Sequence, residues 1–333
     1  MKTGGSFGRR AVTDADVIVE AVSVAKALGW RAPVKVQWTR EDDMRGGRYR
    51  PMYVHGLKAG LDAEGRLVAW RNRIVGQSIV SNTPFAEGMV KNGIDVTSVE
   101  GAATIPYAIP NLRVELTTTE VGVPVLWWRS VGSTHTAYAV EAFIDEVAEA
   151  AGKDPVALRL ELLREHPRHA GVLRFAAEKA GWDRPLPSGR FRGLAVAESF
   201  KTYVAQIAEV TLDQSGQPKV ERVVCAVDCG IAVNPDMIRA QMEGGIGFGL
   251  GAVMKSQLTI EGGAVQEGNF DGYDVLRLNE MPQIEVHIVP SSERPTGVGE
   301  PGVPPIGPAV ANAIYAATRK RMRVLPFSRA QGA

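Results

Sequence analysis

The stretch Gly297-Val298-Gly299-Glu300-Pro301-Gly302-Val303-Pro304-Pro305, near the end of the chain, sets one carboxylate inside a run of glycine and proline. A helical pattern rich in alanine and apolar residues follows from Pro308 to Arg319. This composition predicts a rigid turn that holds Glu300 out of regular structure, just before a helix N-terminus. Two readings of Glu300 stand side by side: a solvated side chain on a surface turn, and a carboxylate aimed as a general base.

The surrounding chain is that of a globular protein. It has 333 residues, 45% of them hydrophobic and 23% charged, with a formal net charge of +1. That length allows one large domain or two ordinary ones, and the composition allows a sizeable core. A net charge this small gives no general field for nucleic acid or an anionic membrane. The densest basic cluster, Arg319 to Arg323, reads as a helix end, where cations suit the dipole. Cys225 and Cys229 are the only two cysteines. They can form neither a disulfide framework nor the four-cysteine set of an iron–sulfur cluster, and buried reduced thiols are expected. No apolar run is long enough to span a bilayer. Met1-Lys2-Thr3 leads straight into a glycine-rich motif with no secretory-type segment. Part of a larger assembly, or a split polypeptide, is expected.

Glycine-rich pieces recur along the chain. Gly4-Gly5-Ser6-Phe7-Gly8-Arg9-Arg10 comes first, with neither Rossmann nor P-loop spacing. It reads either as a tight turn or as a loop whose amides approach a ligand. A helix is expected over Asp14 to Leu28, a strand over Pro33 to Trp38, and two strands over His55 to Leu61 and Leu67 to Ile74. Gly76 to Gly101 reads as a long loop with one helical turn, and Asn111 to Thr118 as a strand. Trp127-Trp128-Arg129-Ser130-Val131-Gly132 combines aromatics with a backbone-donor loop. Helices are expected from Thr134 or Thr136 to Ala151, from Asp154 to Leu163 and near Val172 to Ala180. His166 and His169 lie on the charged segment before the last of these, and a solvated helix terminus is expected there rather than a metal site.

The proline-rich and polar stretch from Trp182 to Ser188 suggests a boundary. Beyond it, Arg192 to Phe200, Tyr203 to Leu212 and Lys219 to Val227 read as strands. After Asp228-Cys229-Gly230-Ile231-Ala232-Val233-Asn234-Pro235 a helix runs to about Val253, carrying Gln241 and the glycines 244, 245, 247, 249 and 251. So many glycines weaken a helix unless it packs very closely on another helix or on a cofactor. Gln283 to Ile288 is the last expected strand.

The ordered set Gly-Gly-x-Phe-Gly-Arg-Arg, Trp-Arg-Ser-Val-Gly, Asp-Cys-Gly-x-x-x-Asn-Pro and Gly-x-Gly-Glu-Pro-Gly resembles the molybdenum-binding subunit of the xanthine dehydrogenase/aldehyde oxidase family. Within that family it is most similar to the isoquinoline 1-oxidoreductase beta-subunit type, from Gly4 to Leu325. The resemblance implies an α+β fold of mixed sheets with packed helices in two subdomains, 1–181 and 189–327. It implies molybdopterin, in its cytosine dinucleotide form, with one molybdenum and no metal ligand from the protein. Transferred by motif, Gly5, Ser6, Phe7 and Gly8 form one cofactor loop and Arg129, Ser130, Val131 and Gly132 a second. The turn with Cys229 and Gly230, and the segment with Gln241, Gly244 and Gly245, help cradle the cofactor.

Glu300 matches the family's catalytic glutamate, the base that takes a proton as water-derived oxygen passes to an electron-poor carbon. Electrons then leave through a separate [2Fe-2S] subunit. Two departures stand out: Ser6 replaces a glycine, and Phe248 stands where the wider family has a glutamine. Relatives of the isoquinoline type also carry an N-terminal half with a Gly-Gln-Gly loop that is not found in this sequence: either a second chain supplies it, or this is a fragment that cannot hold the cofactor alone. The reading is an enzyme subunit oxidising an aldehyde or hydroxylating an N-heterocycle. The alternative is a non-catalytic or truncated structural subunit that keeps the fold, and a third is a binding module with no redox role. Trp127, Trp128 and the 76–101 loop are candidate substrate walls that suit aldehydes and heterocycles alike. The compartment, cytoplasmic or periplasmic by export with a signal-bearing partner, stays open.

Overall fold

Hydrophobic periodicity sets the elements in order, and a computed structural model describes residues 5–330 of them. Gly4, the first glycine of the opening motif, lies outside the described residues. The first helices are α1 (Asp16–Ala27) and α2 (Arg40–Arg45), the latter started by a capping box between Thr39 and Asp42. Strands β1 (Tyr53–Leu61) and β2 (Leu67–Gly76) form an antiparallel hairpin. Its turn is fixed by Asp62, whose Oδ1 accepts from the Glu64 and Arg66 amides, and by Gly65 at φ 73°.

The long loop expected next contains α3 (Ala86–Met89), a small hairpin of β3 (Val90–Lys91) and β4 (Ile94–Asp95), and α4 (Val96–Val99). Strand β5 (Asn111–Thr118) then joins β2 in parallel, giving the order β1-β2-β5. Three helices follow: α5 (Ser133–Ala150), α6 (Pro155–Leu162) and α7 (Pro167–Ala180). Asp154 caps α6 by accepting from the Val156 and Ala157 amides, and Pro155 opens it.

The second sheet begins as an antiparallel meander of β6 (Phe191–Ser199), β7 (Thr202–Leu212) and β8 (Pro218–Asp228). Helix α8 (Pro235–Met254) and a hairpin of β9 (Ile260–Glu261) and β10 (Ala264–Val265) follow. Strand β11 (Gln283–Ile288) then pairs in parallel with β8, so the order is β11-β8-β7-β6. The chain ends with α9 (Ile306–Thr318) and α10 (Phe327–Ala330). The result is an α+β fold with mixed sheets.

Both faces of the second sheet are buried. Along β7, Ala205 and Ile207 join the core shared with α5, α6 and α7, while Val204, Ala208 and Val210 join the core shared with α8 and α9. This is the period-two alternation of a strand covered on both sides. The two cores are tied by a buried polar knot. Glu141 of α5 accepts from Tyr107 Oη at 2.6 Å, from Arg159 Nε at 3.0 Å and from the Val196 amide at 3.0 Å. Asn312 of α9 donates to the carbonyls of Glu141 and Leu194.

Two expectations fail. Pro33 to Trp38 alternates in burial as a strand would, yet it pairs with no strand among the described residues. Helix α7 begins at Pro167, earlier than expected, because a proline at the first helical position needs no amide partner. This buries His169 against Tyr203, at 4.7 Å between ring centroids, so His169 is not at a solvated terminus.

Candidate active site

Three of the glycine-rich stretches meet. In the first loop Gly8 has φ 116°, and a Cβ there would lie 2.0 Å from the Trp127 carbonyl oxygen. Only glycine permits that conformation together with such an approach. Ser6, at the place of a family glycine, accepts from the Arg10 amide at 3.0 Å and closes the turn. Arg9 then binds Asp16 through two hydrogen bonds of 2.9 and 2.7 Å, joining this loop to the start of α1.

The second loop is strained. Ser130 and Val131 have φ of 72° and 46°, left-handed values that cost a non-glycine residue about 1–2 kcal/mol each. Arg50 braces it from below, donating to Thr134 Oγ1 and lying over the Trp128 ring at 4.8 Å. Burial pushes the Arg50 guanidinium down to about 10, with Tyr53 acting in the opposite sense.

This loop holds the Glu300 turn. The Ser130 amide donates to Glu300 Oε1 at 2.9 Å, and Ser130 Oγ donates to the Glu300 carbonyl at 2.6 Å. Arg129 Nε donates to the Gly299 carbonyl at 2.7 Å, and its Nη2 reaches Gln241 Oε1 on α8 at 3.2 Å. Burial lowers the Arg129 guanidinium from its ordinary value, and the charge of Glu300 opposes that shift. From the sheet, Gln206 Nε2 donates to the Gly302 carbonyl at 2.9 Å, and Thr202 Oγ1 to that of Gly297 at 2.8 Å. The Glu300 turn is therefore anchored through its backbone and one carboxylate oxygen, and Glu300 itself is half-buried.

The glycines of α8 divide between two jobs. Cβ atoms at Gly245 and Gly249 would meet Gly302 at 3.1 Å and Ile306 at 2.6 Å, so these glycines let α8 press against the Glu300 turn and the start of α9. Gly244 differs: it is exposed, and nothing lies within 4 Å of where its Cβ would be. Helical spacing sets it on one face between Gln241 and Phe248. Phe248 stacks on Phe7 at 5.2 Å and packs on Trp128 at 4.6 Å. The α8 face thus offers bare backbone between a carboxamide and an aromatic cluster.

Cys229 and Gly230 join at one remove. The Cys229 carbonyl accepts from the Thr296 amide at 2.9 Å, and a Cβ at Gly230 would lie 2.2 Å from the Arg294 carbonyl. They fix the segment that leads into the Glu300 turn. Asp228 is bound by Arg168 at 2.6 and 2.7 Å, and Asn234 caps α8.

Sequence reasoning did not single out Arg50, Gln206 or Glu100, and placed no contact on Phe248. Glu100 is half-buried beside the N-terminus of α5, and its carboxyl is raised by burial, with the charges of Glu198 and Glu300 adding to the effect. Nothing in the local sequence around Arg50 and Gln206 marks them, because their partners lie 84 and 96 positions away; Phe248 stood out as a departure from the family, but not its packing on Phe7 and Trp128.

These residues fit an elongated polar cofactor. Small loops at 5–8 and 129–132 bring backbone close, Gly244 leaves bare backbone on the α8 face with open space before it, and the Glu300 carboxylate is held at one oxygen only.

Two family models, each described as a molybdopterin cofactor-binding domain, match residues 1–163 and 176–282. The chain is 33% identical over 97% of its length to the beta subunit of the isoquinoline 1-oxidoreductase of Brevundimonas diminuta, covering 42% of that protein. It is 31% identical over 98% of its length to a subunit of the nicotinate dehydrogenase of Pseudomonas putida, covering 29% of it. The chain therefore spans less than half the length of these curated relatives. Among solved structures, quinoline 2-oxidoreductase from Pseudomonas putida 86 superposes with a TM-score of 0.81 at 14% identity, over 98% of this chain and 67% of that one. The aldehyde oxidoreductase of Desulfovibrio gigas gives 0.74 at 16% identity, over 97% and 53%.

Proposed function

Because this chain belongs to the molybdopterin-binding subunits of the xanthine dehydrogenase family, we propose that it forms the Glu300-bearing part of a molybdenum hydroxylase. The reaction is oxidation of an aldehyde, or hydroxylation of an N-heterocycle, with oxygen from water. The observation that carries this reading is the Ser130 clamp, which holds one oxygen of the Glu300 carboxylate and the Glu300 carbonyl to the second loop.

Gly5, Ser6, Phe7 and Gly8 would hold the cofactor on one side, and Arg129, Ser130, Val131 and Gly132 on another. Gln241 and Gly244 would line the α8 side, while Gly245, Cys229 and Gly230 shape the backbone behind it. When bound, molybdopterin with its molybdenum, here proposed as the cytosine dinucleotide, would supply the two-electron redox chemistry, with water the source of the transferred oxygen. The protein's part is to orient substrate and move a proton: Glu300 Oε2, opposite the oxygen held by Ser130, takes the proton as general base. Arg129 keeps the backbone of Gly299 in place and sets a positive charge beside that carboxylate.

A [2Fe-2S] subunit is the proposed electron acceptor, and the part of the relatives' length that this chain does not span is the proposed source of the remaining cofactor loop. The two subdomains are proposed as 1–181 and 189–327. Among the described residues no helix is long and apolar enough to cross a membrane. Cytoplasm, or periplasm by export with a partner, are both compatible settings for the proposed enzyme.

A second reading, a structural subunit without a complete site, draws on the short span relative to the relatives. Molybdenum and pterin assays on the chain co-purified with its neighbouring gene products separate the two. Stoichiometric metal with activity abolished in Glu300→Gln supports the enzyme; a metal-free complex, or near-normal turnover in the variant, removes it.

A further inference from the structure

Helix α1 has no buried residue. Val17, Ile18, Val19, Val22 and Val24 are between 41% and 61% exposed, and Trp30 just beyond the helix is 65% exposed. Among the described residues α1 makes no substantial contact with another helix or strand. An isolated helix of its 12 residues is marginal in water, since helices below about 12–15 residues draw their stability from packing. Apolar side chains spread around its circumference are the pattern of a helix meant to be covered.

The segment after it has the same unfinished character. Val34, Val36 and Trp38 are half-buried, while Pro33, Lys35 and Gln37 are exposed. This is strand alternation, yet among the described residues the backbone of Pro33 to Trp38 makes no hydrogen bond. A strand with unpaired amides and carbonyls is a template for another strand. Trp38 Nε1 donates to Glu20 at 2.9 Å, which fastens the segment to α1. Helix and segment thus form one surface.

The relatives indicate what covers it. Nearly all of this chain matches only 42% of the isoquinoline relative and 29% of the nicotinate relative. We propose that α1 and residues 33–38 form a docking surface for the polypeptide corresponding to that unmatched part. One of its strands pairs with 33–38, and its apolar side chains cover α1. Docking also bears on the cofactor loop, because Arg9 beside Gly8 is bound to Asp16 at the start of α1. The identity of the occupant rests on family membership, whereas association is measured without molybdenum or activity, so it can fail independently of the proposed reaction.

The test uses the whole chain and the same-genome polypeptide that aligns with the unmatched part, produced as a separate chain whichever reading frame encodes it. Light scattering after size exclusion should show a one-to-one complex. Hydrogen exchange at the amides of 17–38 should slow about tenfold or more in it. Val19→Asp with Val22→Asp should weaken association about 100-fold by placing two charges in an apolar contact. The thermal midpoint of the chain alone should hold, since both side chains already face solvent. Lys35→Pro and Val36→Pro, tried separately because strand amides alternate in direction, should include one that also weakens it. The proposal is overturned if the two chains do not associate or the aspartates leave association unchanged. A homodimer sealed by this surface, binding of α1 to phosphatidylcholine vesicles, or a genome with no such polypeptide also overturns it.

Discussion

Ser130 holds Glu300 at both ends, its amide on the carboxylate at 2.9 Å and its hydroxyl on the Glu300 carbonyl at 2.6 Å. The two residues are 170 positions apart, and the left-handed backbone at Ser130 aims the amide. Ser130→Ala keeps the amide bond and deletes the other. The expected outcome is a loss of about 1 kcal/mol in stability and about a tenfold lower kcat at unchanged molybdenum content, read by denaturant unfolding and steady-state kinetics of the assembled enzyme. An unchanged kcat would show that the hydroxyl does not position the turn.

Gln206 anchors the same turn from the centre of the second sheet. It is fully buried, its Nε2 donates to the Gly302 carbonyl at 2.9 Å, and its Oε1 has no partner among the described residues. Gln206→Leu leaves a carbonyl unpaired but also removes an unsatisfied oxygen. The expected cost is about 1–2 kcal/mol, with kcat falling more than KM rises, because the change reaches substrate only through Glu300. Parallel loss of both parameters would point to general unfolding instead.

Glu141 and Arg159 are 2% and 0% exposed at the side chain, and their ion pair joins α5 to α6 while the Glu141 carboxylate also reaches β6. Removing one partner strands the other charge in the core, so Glu141→Leu should cost about 3–5 kcal/mol. The double variant Glu141→Leu with Arg159→Met should recover part of that loss. Chemical denaturation of the unmodified chain, Glu141→Leu, Arg159→Met and the double variant checks it, and simple additivity would argue against a coupled pair.

Three histidines make stability depend on pH. Burial pushes His55 down to about 4 and His169 down to about 4, and holds His135 well below its ordinary value. His55 Nε2 lies 2.8 Å from His135 Nδ1, so charging either would set a cation against the other ring and near Arg50. An unfolded histidine takes up a proton near 6.5, before the folded one does. His55 and His169 therefore contribute stability that is complete above about 6.5 and lost as the pH falls toward 4, at up to about 1.4 kcal/mol per unit, and His135 acts in the same direction. Thermal midpoints between pH 7 and 4.5 should fall, and His169→Phe should flatten part of that slope.

The sequence by itself determined most elements and the order of the loops. Periodicity placed β5 and β11 at their observed ends, and glycine and proline spacing marked the turn at Glu300. Those signals are local, since a strand's alternation or a cap is written in consecutive residues. That 33–38 pairs with no strand among the described residues was not legible, because pairing depends on a partner outside the segment's own sequence. The beginning of α7 was missed because its first turn, Pro167-Arg168-His169, carries no apolar periodicity, although Pro167 suits a first helical position and His169 packs on Tyr203. Only the tertiary structure decided that Ser130 clamps Glu300, that Gln206 reaches Gly302 and that Phe248 stacks on Phe7. Each is a contact between distant segments, fixed by how the sheet, α8 and the loops pack together. What began as one carboxylate on a rigid turn is a carboxylate held in place by residues from both halves of the chain.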